Sequence, residues 1–249
     1  MNEIIQAIKN RKSVRVFNDD EISKDACDII LDAAMQAPSA GNQQQYTILK
    51  ISDQELKEKL ADVCDHQSMI AKAPLVLVFV ADPRRWYDAY CKCHFNVRKP
   101  KASDLLLGFA DGCIAAQNAV MAAESLGIGS CYIGDILENS EQVQILLHLP
   151  NYVMPCVMVI FGYPTKQQQE RVKPARFDIP YIVQDNYYEN RNYHQEAFLK
   201  RAGKEDKKID YNEYLKAFAL RKYESAFSCE MARSVDVYLK QFDDRRNDD

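Results

Sequence analysis

The chain has 249 residues, enough for one large α/β domain or for a domain with an appendage. Apolar residues make up 47% and charged residues 27%, which are ordinary values for a globular protein and exclude a disordered or fibrous chain. The 32 lysines and arginines against 36 aspartates and glutamates give a net charge of −4, too small to predict a nucleic-acid or membrane partner.

The first residues and the cysteines both bear on location. Residues 1–6 lack the basic head and apolar stretch of a signal peptide. The eight cysteines are dispersed along a chain too long to need a disulfide framework, so the sequence predicts free thiols and a cytoplasmic protein. Cys91, Cys93 and His94 form one tight group, but no second Cys or His pair at metal spacing accompanies it. We therefore predict no metal site.

Hydrophobic periodicity predicts an alternation of helices and strands in the first third of the chain. The predicted helices cover residues 2–9, 23–36 and 53–63, and the predicted strands cover residues 46–51 and 74–81. The third helix is expected to begin at a capping box made by Ser52 and Glu55. Residues 74–81 are apolar throughout rather than alternating, which predicts a central strand covered on both faces.

The next third contains a long predicted helix over residues 104–126 that is rich in glycine and alanine, with Gly127 at its C-terminal cap. Asp111 and other polar residues interrupt this stretch, so we predict a core or dimer helix rather than a membrane span. Further elements are predicted at residues 128–133 (strand), 141–149 (helix), 153–162 (strand) and 211–242 (a polar helical region). The pattern predicts an α+β fold with helices on both faces of a sheet.

Three polar segments could carry chemistry. Arg11, Lys12 and Arg15 surround Ser13 and offer charge and a hydroxyl to a phosphate or an anionic ring, or they form a solvated basic helix end. Residues 38–45 are crowded with hydroxyl and amide groups and form either a ligand loop or a simple turn. Residues 173–176 repeat the pattern of closely spaced cations and form either a second anion clamp or a surface basic loop. Taken singly, none of the three decides the function.

Taken together and in order, these segments resemble the FMN-dependent nitroreductase/flavin reductase family. The resemblance spans residues 1 to about 180 and is carried by residues 11–17 (RKSVRVF), 33–42 (AAMQAPSAGN), Gln67, 122–134 (AAESLGIGSCYIG), 162–164 (GYP) and 173–176 (KPAR). It implies a nitroreductase-like mixed central sheet flanked by helices in an interlocked homodimer. Residues 1–180 would form the FMN-binding core, and residues 181–249 would be a C-terminal extension packing on the core or the partner, as in the larger, often NADPH-using branch.

The resemblance also implies which residues contact the flavin. Arg11, Ser13, Lys173 and Arg176 would bind the phosphate and ribityl chain, whereas Lys12 and Arg15 would approach the pyrimidine edge of the ring. Gln67 would hydrogen-bond the ring, and backbone amides near Tyr132, Ile133 and Gly134 would face the flavin N5. The remaining implied contacts are Pro38 and Ser130, together with Ser39, Asn42 and Gln44 from the partner subunit.

The implied activity is a ping-pong oxidoreductase reaction. NADPH or NADH would pass hydride to FMN N5, and a small-molecule acceptor such as a nitro compound, a quinone or free flavin would then replace the nicotinamide. Because the cofactor performs the chemistry, no separate catalytic side chain is predicted. An alternative is an FMN-binding storage or sensing protein without useful turnover. A nucleotide enzyme unrelated to flavin is disfavoured, because the chain lacks the glycine-rich phosphate loops of such enzymes.

A preference for NADPH requires a cation for the 2′-phosphate. The cations available before residue 211 are Arg201, Lys204, Lys207 and Lys208. Because Glu205 and Asp206 interrupt this group, it also fits a solvated run of mixed charge.

Overall fold

The computed structural model describes residues 2–190, 195–204 and 209–243. The chain divides into two compact units, of which the first comprises Met1–Glu170 with Cys229–Asp249 and the second comprises Arg171–Ser228. The predicted boundary between residues 180 and 181 stays a prediction.

The helices and strands follow the predicted alternation closely. The strands are β1 (Tyr46–Ile51), β2 (Leu75–Ala81), β3 (Gly129–Ile133) and β4 (Met154–Gly162). The helices up to residue 170 are α1 (Glu3–Asn10), α2 (Lys24–Met35), α3 (Gln54–Val63), α4 (Met69–Lys72), α5 (Arg84–Lys92), α6 (Ala102–Ser125), α7 (Ser140–Leu146) and α8 (Lys166–Glu170). The later helices are α9 (Ile179–Ile182), α10 (Gln195–Arg201), α11 (Tyr211–Lys222) and α12 (Ala226–Leu239).

The sheet has the order β1-β2-β4-β3, and all three pairings between neighbouring strands are antiparallel. Outside these strands, one isolated parallel bridge joins Ser13 to Ser130 at the outer edge of β3. Every residue of β2 is buried, as its continuous apolar sequence predicts for a central strand. In the order given above, β1 and β3 are the two edge strands, and β2 and β4 lie between them.

Helices cover both faces of the sheet. Alternate residues of β2 point to opposite faces, so Leu77 and Phe79 pack in the core beneath α2 and α6, whereas Val76 and Val78 pack in the core beneath α3 and α4. Both sets of side chains are fully excluded from solvent. This confirms the predicted α+β arrangement.

The long helix α6 uses its small residues inside its own subunit. A Cβ atom on Gly108 would lie 2.6 Å from the carbonyl oxygen of Gln45, so only glycine allows this approach to the chain before β1. α6 is long and apolar enough to cross a membrane by length and composition alone, a test that the core helix of a globular protein also passes. Its exposed apolar side chains are Leu106, Leu107 and Ile114, which leave a second apolar surface facing outward.

Two sequence-based details are corrected. The N-cap of α3 is Asp53 rather than Ser52, because the Asp53 carboxylate accepts a hydrogen bond from the Leu56 amide at 2.7 Å. α7 ends at Leu146, three residues before the predicted end. Gly127 does follow the end of α6 with φ of 73°, as the predicted C-terminal cap requires.

The part of α12 that belongs to the first unit is tied to the start of α7. Arg233 contacts Glu141 at 2.7 Å and Glu230 at 2.8 Å, and these hydrogen bonds lower the pKa of each carboxyl to about 2. The Asn139 amide donates to Glu230, and the buried Tyr238 hydroxyl donates to the Ser140 carbonyl. Residues 229–243 are therefore an integral part of the first unit.

The second unit contains a cluster of aromatic rings with cations stacked on them. The Phe177 ring centroid lies 5.2 Å from that of Phe198, and the Arg201 guanidinium lies 5.2 Å from Phe177 and 5.6 Å from Phe218. Lys204 lies over the Tyr214 ring at 4.6 Å. These contacts are of the cation–π type.

Candidate functional site

The N-terminal segment that carries the basic cluster lies along the outer edge of β3. The Val14 amide donates to the Ser130 carbonyl at 2.8 Å, and Asn18 donates to the Tyr163 carbonyl at 2.9 Å. Val14 is buried against Gly129, where an added Cβ would come within 2.6 Å of the valine side chain. The glycine therefore allows residues 13–18 to lie against the edge of the sheet.

Arg11, which follows α1, lies over β3. Its guanidinium carbon is 5.7 Å from the centroid of the Tyr132 ring. Burial raises the pKa of Tyr132 to about 12, although the Arg11 charge opposes the rise. Arg11 Nε and Nη2 are buried and have no hydrogen-bond partner among the residues that the structure describes. A buried cation with unsatisfied donors is costly unless an acceptor reaches it.

Ser130 supplies a second buried polar atom at the same strand. The residue is 1% exposed, and its hydroxyl oxygen has no partner within the described part of the chain. Ser130 and Tyr132 are two positions apart in β3, so their side chains project from the same face of the strand. Arg11, which stacks on Tyr132, therefore meets the strand on the face that also carries the Ser130 hydroxyl.

The neighbouring cations are held differently. Lys12 Nζ donates to the Gln169 carbonyl at 2.5 Å, and the Arg15 amide donates to the buried Gln168 side chain at 3.2 Å. The Arg15 side chain itself is exposed. Lys12 and Arg15 are therefore held by α8, whereas Val14 between them is held by β3.

Gln67 lies between α3 and α4 and reaches the chain that follows β3. Its Nε2 donates to Asp135 Oδ2 at 2.8 Å. Asp135 comes directly after Ile133 and Gly134, in the 3₁₀ turn Gly134–Leu137. Three separately predicted segments, residues 11–15, Gln67 and residues 130–134, are thus brought to one edge of the sheet.

A buried carboxyl group lies behind Asp135. Glu138 is 3% exposed, and its Oε1 has no hydrogen-bond partner in the described ranges. Burial, and then the hydrogen bond and negative charge of Asp135, raise the pKa of Glu138 to about 8. Burial also raises the pKa of the adjacent Cys64 thiol, so that group stays protonated. Glu138 is mainly neutral at pH 7.

The loop before β1 contains the other predicted contacts. Pro38 and Asn42 are exposed, and the Ser39 hydroxyl accepts a hydrogen bond from the Gln44 amide at 3.0 Å. Gly41, Asn42 and Gln44 all have positive φ, between 48° and 58°. Asn tolerates this conformation, whereas for Gln it is uncommon and carries strain.

Asp111 of α6 holds this loop in place and was not predicted to do so. Its buried carboxylate accepts from the Ala40 amide at 2.9 Å and from the Gln45 amide at 3.4 Å, at the two ends of the loop. The sequence signal for this role is an acidic residue within an otherwise apolar helix. A buried charge requires partners, and here the partners are backbone amides.

The loop also contacts α5, a helix that the sequence analysis did not predict. Trp86 donates its indole N–H to the Gln43 carbonyl at 2.7 Å. Arg85 donates to the Tyr46 carbonyl and to the Thr47 hydroxyl, at 3.1 and 2.6 Å. Cys91 and Cys93, at the C-terminal end of this helix, are exposed free thiols.

The two groups of predicted contacts lie at different edges of the sheet. The loop leads into β1, whereas Arg11, Ser13 and Ser130 lie at β3, and β2 and β4 separate these strands. Neighbouring strands are about 4.8 Å apart, so the two edge strands are separated by roughly 14 Å. The structure therefore does not bring residues 38–44 to the Arg11 side of the sheet.

The remaining predicted residues belong to the second unit. Arg176 is exposed and its guanidinium donates to the Pro174 carbonyl of its own loop at 2.9 Å, and Lys173 is partly buried. Their role as a second anion clamp stays a prediction. Because Arg201 and Lys204 stack on aromatic rings, a fully solvated charge run does not describe them. Lys207 and Lys208 lie outside the described residues.

Comparison with known proteins identifies the family of the chain. A family model described as "Nitroreductase family" matches residues 8–163. The chain is 34% identical over 173 residues to an FMN reductase [NAD(P)H] of Bacillus subtilis, covering 69% of this chain and 70% of that protein. It is 32% identical over 189 residues to the oxygen-insensitive NADPH nitroreductase of Salmonella typhimurium, covering 76% of each.

Solved structures show the same fold over almost the whole chain. Nitroreductase A from Vibrio parahaemolyticus matches with a TM-score of 0.79 and 26% identity, covering 96% of this chain and 98% of that one. An NADPH:FMN oxidoreductase from Vibrio harveyi, solved in complex with NAD+, matches with a TM-score of 0.75, 25% identity and the same coverage. With the family match over more than half of its residues, the chain belongs to the nitroreductase family.

Proposed function

We propose that the protein is an FMN-dependent oxidoreductase that uses NADPH or NADH to reduce small-molecule acceptors such as nitro compounds, quinones or free flavin. The relatives named above as flavin reductases and nitroreductases support this proposal. The observation in this chain that carries it is the Arg11 guanidinium, which is partly buried, stacked on Tyr132 and left with unsatisfied donors on Nε and Nη2.

The donor set fits the phosphate end of FMN. A phosphate oxygen can accept both from a guanidinium and from a serine hydroxyl, and charge-assisted hydrogen bonds of this kind are the strong ones. Arg11 and Ser13 would hold this end, and the Ser130 hydroxyl offers a further donor at the same strand. The assignment of Lys173 and Arg176 to the phosphate is also proposed, and it rests on the family resemblance alone.

The ring end would face residues after β3. FMN, when bound, supplies a ring nitrogen that accepts hydride from NAD(P)H and returns the electrons to an acceptor. The chain's part is to orient the ring through Gln67 and the backbone of residues 132–134, and to place the charges of Lys12 and Arg15 near its pyrimidine edge. Positive charge there favours the reduced, anionic form of the ring.

A homodimer is part of this proposal. The loop with Ser39, Asn42 and Gln44 is rigidly held but lies at the β1 edge, away from Arg11, so in a two-fold dimer it would serve the partner's flavin. The helices α1 and α6 contact each other and expose apolar side chains, among them Ile4, Ile8 and Leu107. An exposed apolar surface of this kind marks a protein interface.

Cytoplasmic location is also proposed. All eight cysteines are free thiols, four of them buried in the core. Free thiols at this number fit a reducing compartment.

The test is the spectrum and turnover of the purified protein. We expect a yellow protein whose flavin absorbance is lost under anaerobic NADPH or NADH and returns when a quinone or nitroaromatic compound is added. Steady-state oxidation of NAD(P)H should then depend on that acceptor. A colourless protein that does not take up added FMN would contradict the proposal, and tight FMN binding without reduction would support the storage or sensing alternative instead.

A further inference from the structure

We infer that Asp135 is a positioning residue that holds the Gln67 amide in the orientation needed at the flavin ring, and that the buried Glu138 side chain behind Asp135 is the second part of this arrangement. The inference rests on the proposed function, in which Gln67 contacts the ring. It concerns two acidic residues to which neither the sequence analysis nor the family comparison assigned a role.

The first step is the orientation of the Gln67 side chain. Its backbone is fixed, since the Gln67 amide donates to the Ala61 carbonyl and the Gln67 carbonyl accepts from the Ile70 amide, each at 3.0 Å. Its side-chain Nε2 donates to Asp135 Oδ2 at 2.8 Å. A carboxylate can only accept, so it selects the NH₂ side of the amide and turns Oε1 away. Gln67 is thereby presented to its other neighbours mainly as a hydrogen-bond acceptor.

The second step is the match between this acceptor and the ring. The pyrimidine edge of a flavin carries one N–H donor between two carbonyl oxygens, and Oε1 of Gln67 is complementary to that N–H. A freely rotating amide would also offer its NH₂ group, and it would lose side-chain entropy on binding. Fixing the amide beforehand removes part of that cost, so Asp135 should strengthen flavin binding through Gln67.

The third step is the charge behind Asp135. Glu138 is buried beside it, with Asp65, Glu230 and Cys64 as its other titratable neighbours. The nearby cation Arg233 is engaged with Glu230 and Glu141. At neutral pH the Glu138 carboxyl keeps its proton, because burial and the Asp135 charge raise its pKa to about 8. Burial and the Asp135 charge therefore disfavour a second negative charge beside Asp135, which leaves the Gln67 contact undisturbed.

The main experiment is a double-mutant cycle on the full-length holoprotein. The FMN dissociation constant is measured by fluorescence for the wild type, Asp135→Ala, Gln67→Ala and the double variant, with melting temperatures to verify folding. We expect each single change to weaken FMN binding about tenfold, as loss of one well-oriented hydrogen bond does. The double variant should be no weaker than Gln67→Ala. Multiplicative losses, or an unchanged constant in Asp135→Ala, would overturn the inference.

Asp135→Asn separates positioning from charge and guards against misfolding of the alanine variant. Its carbonyl oxygen can still accept from Gln67, so FMN affinity should fall less than in Asp135→Ala. Because a negative charge near the ring is removed, the flavin midpoint potential should become more positive. An unchanged potential would show that the Asp135 charge does not act on the ring.

The pH dependence tests Glu138. Above pH 8 the wild-type Glu138 ionises and places a second negative charge near Asp135, so FMN should bind more weakly between pH 7 and 9. Glu138→Gln cannot ionise, and its affinity should stay flat over this range. If FMN affinity depended on pH in the same way in the wild type and in Glu138→Gln, the role of Glu138 would be overturned. Failure of every variant and of the wild type to bind FMN would refute the proposed function as well, whereas normal binding without coupling refutes only this inference.

Discussion

The basic segment at the β3 edge and the polar loop at the β1 edge are both predicted flavin contacts, yet they are built in opposite ways. At the β3 edge, Arg11 and Ser130 keep buried donors unsatisfied within the described chain. At the β1 edge, Asp111 satisfies the amides of Ala40 and Gln45, so the loop is held by the subunit itself. The β3 edge therefore offers unsatisfied donors to an anion. The loop at the β1 edge has its conformation fixed by hydrogen bonds within the subunit.

Asp111→Ala should cause the largest loss of stability, because it removes the acceptor that holds both ends of the loop before β1. Two backbone amides in a buried environment lose their acceptor, and we expect the free energy of unfolding to fall by about 3 kcal/mol. Urea denaturation monitored by circular dichroism measures this loss. Asp111→Asn is the matched control, since its carbonyl oxygen still accepts one hydrogen bond and the loss should be smaller. Equal stability of the alanine variant and the wild type would contradict the assigned role.

Glu138→Gln should show how much the ionisation of the buried Glu138 lowers the free energy of unfolding. The folded pKa of about 8 lies above the unfolded value, so the wild type loses stability as the pH rises from about 4.5 to 8. The variant lacks this titration. We expect wild type and variant to be similarly stable below pH 4 and the variant to be more stable by about 2 kcal/mol at pH 9. Parallel stability profiles across this range would show that Glu138 titrates normally.

Gly129→Ala tests how the basic segment docks. The added methyl group would come within 2.6 Å of Val14, so the segment must shift and the apoprotein should lose about 1 to 2 kcal/mol. Gly134→Ala is the control, because a Cβ there meets nothing within 4 Å. Chemical denaturation of the two apoproteins makes the comparison. Equal losses in both variants would mean that the contact with Val14 does not matter.

Arg15→Ala should produce the smallest of these effects. The side chain is exposed and proposed to meet the ring edge, so we expect FMN affinity to fall by about tenfold without a change in stability. Fluorescence titration measures it, and Lys9→Ala, which removes an exposed cation of α1, is the control for net charge. Unchanged affinity in Arg15→Ala would remove this residue from the proposed site.

The strands could be predicted because their sequences are distinctive. Residues 75–81 are apolar at every position, and burial on both faces of a sheet requires that pattern. α5 was missed because its contact surface is made of Trp86, Tyr87 and Tyr90 among charged residues, without an aliphatic stripe at helical spacing. The N-cap residue of α5 is Pro83, which has no side chain able to cap the helix. The Arg85 amide instead donates to the side chain of Asp82, one residue before the N-cap.

Parts of the site were predictable only by resemblance. Spacing along the chain cannot show that Gln67 meets Asp135, because 68 residues separate them and the sheet alone brings them together. The same holds for Asp111, whose role depends on where α6 crosses the start of β1. A buried acidic residue in an apolar segment does indicate that hydrogen-bond donors must lie nearby, although it cannot name them.

The most direct test of the account compares FMN with riboflavin, which lacks the phosphate, in the wild type and in Arg11→Ala. We predict that the wild type binds FMN far more tightly than riboflavin. Loss of Arg11 should weaken FMN binding about 100-fold, as two charge-assisted hydrogen bonds are removed, and should leave riboflavin binding unchanged. A variant that still prefers FMN as strongly as the wild type does would contradict the assignment of Arg11 to the phosphate.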